Sequence, residues 1–259
     1  KVLVVCGGTG QTLSRFLLYD IEQLACVEIE PAVFEIVAEH FDADWMDDPR
    51  VRLVYEDGRS FLTHGQSTYD VISLELGQVS RPGVASFYTT EFYHQARERL
   101  APDGVLSQFL PIPFLSIDEF RRALRTFVDA FPHSTLWYNT SELLLIGSRE
   151  PLALRGTTLQ RALARAAVRT DLEFSHWGGP KQWLADPSVL AGNFLAGAEQ
   201  IDAMAGDVEP YRDDWPILEY AASRVQPNDV NEIEIVKLLQ RHQTEMIVIN
   251  KGTTPLDTE

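Results

Sequence analysis

The chain has 259 residues, a formal charge of −16, and 45% apolar and 10% aromatic residues. That apolar share is ample for a packed core and excludes a disordered chain. The acidity excludes a generic nucleic-acid binder, because phosphate contacts need basic patches. Only four lysines (Lys1, Lys181, Lys237, Lys251) accompany eighteen arginines. An acidic surface of this kind serves solubility or draws cations, polyamines among them.

The chain opens on Lys1-Val2-Leu3-Val4-Val5, a continuous β-branched run expected of a strand buried on both faces of a parallel sheet. It runs into Cys6-Gly7-Gly8-Thr9-Gly10, then an amphipathic stretch, Thr12 to Leu18, and a second apolar strand, Leu24 to Val27. That strand ends on Glu28-Ile29-Glu30-Pro31. Glycines after a first strand let a ligand approach the backbone, and a carboxylate after the second is placed to accept from ribose hydroxyls. The dinucleotide fingerprint wants a third glycine where Leu13 stands, so the pattern favours a smaller adenosine ligand over NAD or FAD. The plain alternative is an ordinary turn of an α/β protein.

A helical period (Val33, Ile36, Val37, His40, Phe41) follows Pro31, then strands Val51–Tyr55 and Tyr69–Leu74. A helix from about Thr90 to Leu100, with Thr90 as its N-cap, precedes strand Val105–Phe109. A helix from about Ile117 to Phe131 leads into a hairpin, Ser134–Tyr138 and Glu142–Gly147, turning at Asn139-Thr140-Ser141. The expected fold is α/β: a doubly wound, mostly parallel seven-stranded sheet with a reversed edge strand. From about Arg149 alanine-rich segments (Leu159–Ala167, Leu190–Met204) read as a helical appendage, interrupted by Trp177-Gly178-Gly179-Pro180 and by Asp213-Asp214-Trp215-Pro216. A helix Asn231–Gln243 and a mobile end, Gly252–Glu259, close the chain. The expected division is a nucleoside-binding unit, 1–150, and a helical extension, 151–259.

Acids recur at strand ends: Glu28 after the second strand, Asp57 after the third, Glu75 after the fourth. In an open parallel sheet the carboxyl ends of strands line the ligand crevice, so these side chains converge beside the glycine turn. Each alone reads more readily as a loop carboxylate; three at successive strand ends beside a glycine turn read as a site. Cys6 and Cys26 read as small buried residues of core strands in a reducing compartment. Six scattered histidines show no metal spacing, and no metal is expected. Trp137, Trp177 and Trp215 read as packing anchors, Trp177 also as a pocket wall. No apolar run reaches membrane-spanning length and no signal peptide opens the chain. The start inside a strand, without an initiator Met, reads as part of something longer.

Seven short motifs occur in order: Val2-Leu3-Val4-Val5-Cys6-Gly7-Gly8-Thr9-Gly10, Val27-Glu28-Ile29-Glu30-Pro31, Asp48-Pro49-Arg50-Val51, Glu56-Asp57-Gly58-Arg59, Tyr69-Asp70-Val71-Ile72, Glu91-Phe92-Tyr93 and Leu100-Ala101-Pro102-Asp103-Gly104-Val105-Leu106. Over about residues 1–150 the series resembles the spermidine synthase (polyamine aminopropyltransferase) family, a branch of the class I S-adenosylmethionine-dependent methyltransferase fold. Asp213-Asp214-Trp215-Pro216-Ile217-Leu218-Glu219-Tyr220 resembles the close of larger bacterial spermidine-synthase-like proteins, some with membrane-spanning N-terminal parts.

The resemblance implies that Glu28 binds the ribose hydroxyls, Ile29 packs on adenine, Asp57 takes the adenine amino group and Gly58 lies at the base. Gly8, Thr9 and Gly10 then pass the sulfonium arm. Glu75 stands where the family has its catalytic Asp, holding the attacking amine and helping deprotonate it. S-adenosylmethionine or its decarboxylated form is implied as co-substrate and an amine or polyamine as acceptor. The resemblance leaves room for a homodimer, and for a cytoplasmic protein or the cytoplasmic part of a membrane-attached one. Three departures stand out. Thr9 replaces an Asp that grips the decarboxylated donor's amine, no Asp-Pro follows Glu75, and the family's N-terminal β-hairpin is missing. Three readings stay open: an aminopropyl or related alkyl transferase, a methyltransferase, and a non-catalytic module.

Overall fold

Strand β1 (Val2–Val5) is buried at every residue because alternate side chains enter two separate cores. Val2 and Val4 join Leu13, Phe34 and Trp45 on one face of the sheet. Leu3 and Val5 join the larger cluster around Phe92, Tyr93 and Phe127 on the other. A strand covered on both faces has no polar side, which is why it reads as an unbroken apolar run. This is a computed structural model, and it describes residues 1–77, 79, 81–139, 142–152, 156–173, 191–222 and 229–242.

Strands β2 (Leu24–Glu28), β3 (Val51–Tyr55), β4 (Tyr69–Leu74) and β5 (Leu100–Leu110) lie parallel to β1 in the order β3-β2-β1-β4-β5. The hairpin β6 (His133–Asn139) and β7 (Glu142–Ser148) is antiparallel, with β7 against β5. Helices α1 (Gln11–Phe16), α2 (Ala32–His40), α3 (Gly58–His64), α4 (Thr90–Glu98) and α5 (Ile117–Ala130) fill the crossovers. Helix α5 opens with a capping box, Ser116 and Glu119 bonding each other's backbone N–H groups. Helix α4 is capped by Thr89, whose hydroxyl accepts from the Phe92 amide, and not by Thr90 as expected.

The doubly wound α/β sheet has eight strands rather than seven. Strand β8 (Phe194–Gly197) pairs antiparallel with β6, joining Leu136 to Ala196, so β6 is no longer the edge. It arises inside the stretch expected to be one helix from Leu190 to Met204. Helix α8 (Ala198–Ala205) begins only after that strand and runs one residue past the expected end, and Leu190 lies outside the described residues. The segment read as one helix, Leu159–Ala167, is two: α6 (Gly156–Leu163) and α7 (Ala166–Glu173). Helices α9 (Ile217–Ala222) and α10 (Asp229–His242) send Leu218, Ile235 and Leu238 into the larger core. The Trp177-Gly178-Gly179-Pro180 interruption, Thr140-Ser141 and the end from Gly252 lie outside the described residues. Among the described residues no helix is long and apolar enough to cross a membrane.

Candidate functional site

Beyond Val5 the chain reverses on three left-handed residues: Cys6 (φ 75°), Gly8 (φ 51°) and Gly10 (φ 80°). Cys6 is therefore a half-buried turn residue and not, as expected, part of a core strand, whereas Cys26 is buried within β2. The turn is pressed onto an aromatic floor. A Cβ on Gly7 would meet the Phe34 ring at 2.9 Å, and one on Gly10 the Trp45 indole at 2.3 Å. Gly8 and Thr9 face outward, and the Gly10 amide closes the turn on the Gly7 carbonyl at 2.9 Å.

Glu28 ends β2 with its carboxylate buried, 4% exposed. One oxygen accepts the Gly7 amide at 3.0 Å and the other the Glu30 amide at 3.1 Å. These bonds tie the first glycine of the turn to the end of the neighbouring strand. Beside these two amides and the Cys6 thiol, the carboxylate keeps a lone pair that a ligand hydroxyl can use. Burial, then the nearby Glu28 charge and its hydrogen bond, push the Cys6 thiol up to about 12. Ile29 follows with 69% of its surface exposed, and Tyr55, paired in register with Glu28, stands 58% exposed with its ring edge-on to Phe34. Two large apolar side chains open to water on either side of a buried acid are what a ligand would cover.

Asp57 is the N-cap of α3, its carboxylate accepting the Ser60 amide at 2.8 Å. Its second oxygen has no partner among the described residues. Gly58 is buried against β1, where a Cβ would lie 2.4 Å from a Val5 methyl. Glu75, one residue past β4, is exposed and held at three points. It accepts from Ser73 Oγ at 2.6 Å and from Thr12 Oγ1 at 3.2 Å, and its amide donates to the Val5 carbonyl at 3.2 Å. The Thr12 bond brings the carboxylate to the first turn of α1, just past Gly10.

Gly8, Thr9, Gly10, Glu28, Ile29, Asp57, Gly58 and Glu75 thus share the carboxyl edge of four adjacent strands, β3-β2-β1-β4. Sequence reasoning missed Tyr55, Thr12 and Ser73. Tyr55 carried a signal, an aromatic at the very end of a strand run, whereas the two hydroxyls carried none. Among the described residues no three His, Cys, Asp or Glu side chains gather as metal ligands would.

Comparison with known proteins bears on the family and the fold. The sequence model of the spermine/spermidine synthase domain matches residues 1–143. A polyamine aminopropyltransferase of Ruegeria sp. (strain TM1040) is 29% identical over 67% of this chain and 61% of its own length. One from Streptococcus pneumoniae is 33% identical over 53% of this chain and 49% of its own. The chain thus spans about half to three fifths of these curated relatives. A crystal structure of spermidine synthase with the transition state analogue AdoDATO is 26% identical, with a TM-score of 0.50 over 57% of this chain and 52% of that one. Human methyltransferase-like protein 13, solved with SAH, shares the fold at a TM-score of 0.51, with 19% identity over 71% of this chain and 87% of that one. With more than half of its length matched by the domain model, this chain belongs to the spermine/spermidine synthase family.

Proposed function

We propose that this protein transfers an aminopropyl or related alkyl group from a sulfonium nucleoside, decarboxylated or intact S-adenosylmethionine, to an amine or polyamine. The observation that carries the reading is the Glu75 carboxylate, held by Ser73 and Thr12 beside the glycine turn at the carboxyl edge of β4. Family membership and the aminopropyltransferase relatives support it. In this reading residues 1–150 form the nucleoside-binding unit and residues 151–259 a C-terminal extension.

Glu28 takes the ribose hydroxyls, Ile29 covers adenine, and the second oxygen of Asp57 accepts the adenine amino group above Gly58. Gly8, Thr9 and Gly10 flank the sulfonium arm. The acceptor nitrogen attacks the carbon bonded to sulfur as the carbon–sulfur bond breaks, and the bonding pair leaves on sulfur as the neutral thioether. The excess proton on nitrogen passes to Glu75 or to water. Such a displacement needs alignment of nitrogen, carbon and sulfur, and an amine that has lost its proton.

Thr9 favours a second donor, because without a loop carboxylate the turn suits intact S-adenosylmethionine with its own carboxylate. That donor also allows methyl transfer from the same site. The test is to incubate the protein with each donor and a panel of di- and polyamines, and to identify the nucleoside product. Methylthioadenosine reports alkyl transfer and S-adenosylhomocysteine methyl transfer. Neither product, despite nucleoside binding, would make the chain a non-catalytic module.

A further inference from the structure

The motif Asp213–Tyr220 lies beyond the matched domain, yet it holds that domain's loops together. The Asp213 carboxylate receives both terminal nitrogens of Arg59, one at 2.8 Å, and the Thr89 hydroxyl at 2.7 Å. Arg59 directly follows Asp57-Gly58 and also donates to the Ser86 carbonyl at 3.2 Å. Asp213 donates its own amide to the Glu91 carboxylate at 3.1 Å, and Glu219 accepts the Gly83 amide at 3.2 Å. The loop so gripped is anchored beside Glu75, since the buried Tyr88 hydroxyl donates to the Phe109 carbonyl at 2.8 Å and lies 3.1 Å from that of Leu76.

We infer that Asp213 is a positioning residue, fixing the Asp57–Gly58 turn against the loop that follows Glu75 so that the two halves of the site keep their spacing. The inference rests on the nucleoside-transfer reading above. The physical case is geometric. A two-pronged guanidinium–carboxylate pair fixes orientation as well as distance, which a single point contact does not. The Arg59 side chain is only 19% exposed and lies 6.0 Å over the Phe92 ring, so the guanidinium is set into the protein, and Asp213, its side chain 38% exposed, closes over it from the solvent side. No other carboxylate is bonded to Arg59 among the described residues. Loss of Asp213 therefore leaves the Arg59 and Thr89 donors only the Ser86 carbonyl among the described residues and loosens the turn that bears Asp57 and the start of α4 together.

The experiment compares the full chain with Asp213→Asn, Asp213→Glu and Arg59→Lys. Each is titrated with methylthioadenosine by calorimetry well below its thermal midpoint, and each midpoint is measured separately. Asp213→Asn is expected to raise the methylthioadenosine Kd about tenfold, the low end for losing a hydrogen bond to a charged group. Arg59→Lys keeps the charge, loses the fork and should behave alike, which preserves the test if Asp213→Asn fails to fold. Asp213→Glu should recover most of the affinity. A merely structural role moves the midpoint and leaves Kd unchanged, so a parent that binds and variants that bind equally overturn the inference alone. A parent that binds no nucleoside overturns the transfer reading, and this inference with it.

Discussion

The Glu28 carboxylate accepts the backbone N–H of Gly7 at 3.0 Å across the boundary between β2 and the glycine turn. A residue expected only to meet a ligand is thus already part of the turn's own framework. Glu28→Ala should weaken methylthioadenosine binding by about 1.5–3 kcal/mol, the range for hydrogen bonds to a charged group. It should also lower unfolding stability by about 1–3 kcal/mol, because the buried Gly7 amide loses its acceptor. Calorimetric titration and urea unfolding measure the two separately. A mutant that titrates like the parent removes Glu28 from the nucleoside site.

Gly8 and Gly10 both have positive φ but face different surroundings. At Gly8 no described residue stands within 4 Å of an added Cβ, so Gly8→Ala should cost about 1–2 kcal/mol of left-handed strain alone. At Gly10 the methyl would collide with Trp45 at 2.3 Å, adding about 1–3 kcal/mol of overpacking. Among the described residues buried Trp45 Nε1 has no hydrogen-bond partner, so Trp45→Phe removes an unsatisfied donor along with the clash. Urea unfolding of the two alanine variants and of Gly10→Ala/Trp45→Phe tests this. Equal losses at the two glycines would contradict the packing argument.

The thiols give a pH prediction. Burial first, then the charge of Glu28, push both Cys6 and Cys26 up from 9.0 to about 12. A raised folded-state value means the unfolded chain releases the proton first. Stability from these groups is therefore full below pH 9 and lost as pH rises from 9 toward 12. At pH 8 the native protein should resist iodoacetamide at both positions while the urea-unfolded chain reacts, as mass spectrometry would resolve. Native Cys6 alkylated at the unfolded rate would show that its thiol is not held neutral.

What the sequence made legible follows from burial. The strand β1 is apolar at every position because it feeds two cores, and strand-end acids stand out against such runs. The short helix α3 went unread because Asp57, singled out as a ligand contact, is also its cap. Strand β8 is four residues whose partner Leu136 lies far back in the chain, and no local period reports such pairing. The Arg59–Asp213 pair spans 154 residues, so the motif was visible and its partner was not. Cys6 read as a strand residue because a positive φ leaves no trace in a side chain's chemistry.

Thr9 sits exposed at the tip of the turn. With no carboxylate there to pair with a terminal ammonium, the parent should not strongly prefer the decarboxylated donor. Thr9→Asp should shift preference toward it by about two- to fivefold, the worth of an exposed ion pair. Competition titration of the two donors measures the ratio. A parent already binding the decarboxylated form a hundredfold more tightly would refute this account of the turn.

Glu75 carries the transfer chemistry in the proposed function, and its contacts define the substitution that tests it. An amine acceptor is protonated near neutrality, with a pKa resembling that of lysine at about 10.4, and must shed a proton before attack. A carboxylate at the end of β4 both attracts the ammonium and accepts that proton. Glu75→Gln keeps the side chain's length and leaves a carbonyl oxygen to accept from Ser73 or Thr12, so the local geometry should hold. Only the charge and basicity are lost. Nucleoside binding should therefore stay near the parent's, while turnover falls roughly 10²–10⁴-fold, the usual worth of general-base catalysis. Because a protonated amine is the resting form, the residual rate of Glu75→Gln should climb with pH as free amine accumulates. Methylthioadenosine release from parent and mutant, measured across pH with a diamine panel, follows both effects. Equal turnover in the two proteins would leave Glu75 as a carboxylate that lines the crevice without taking part in the reaction.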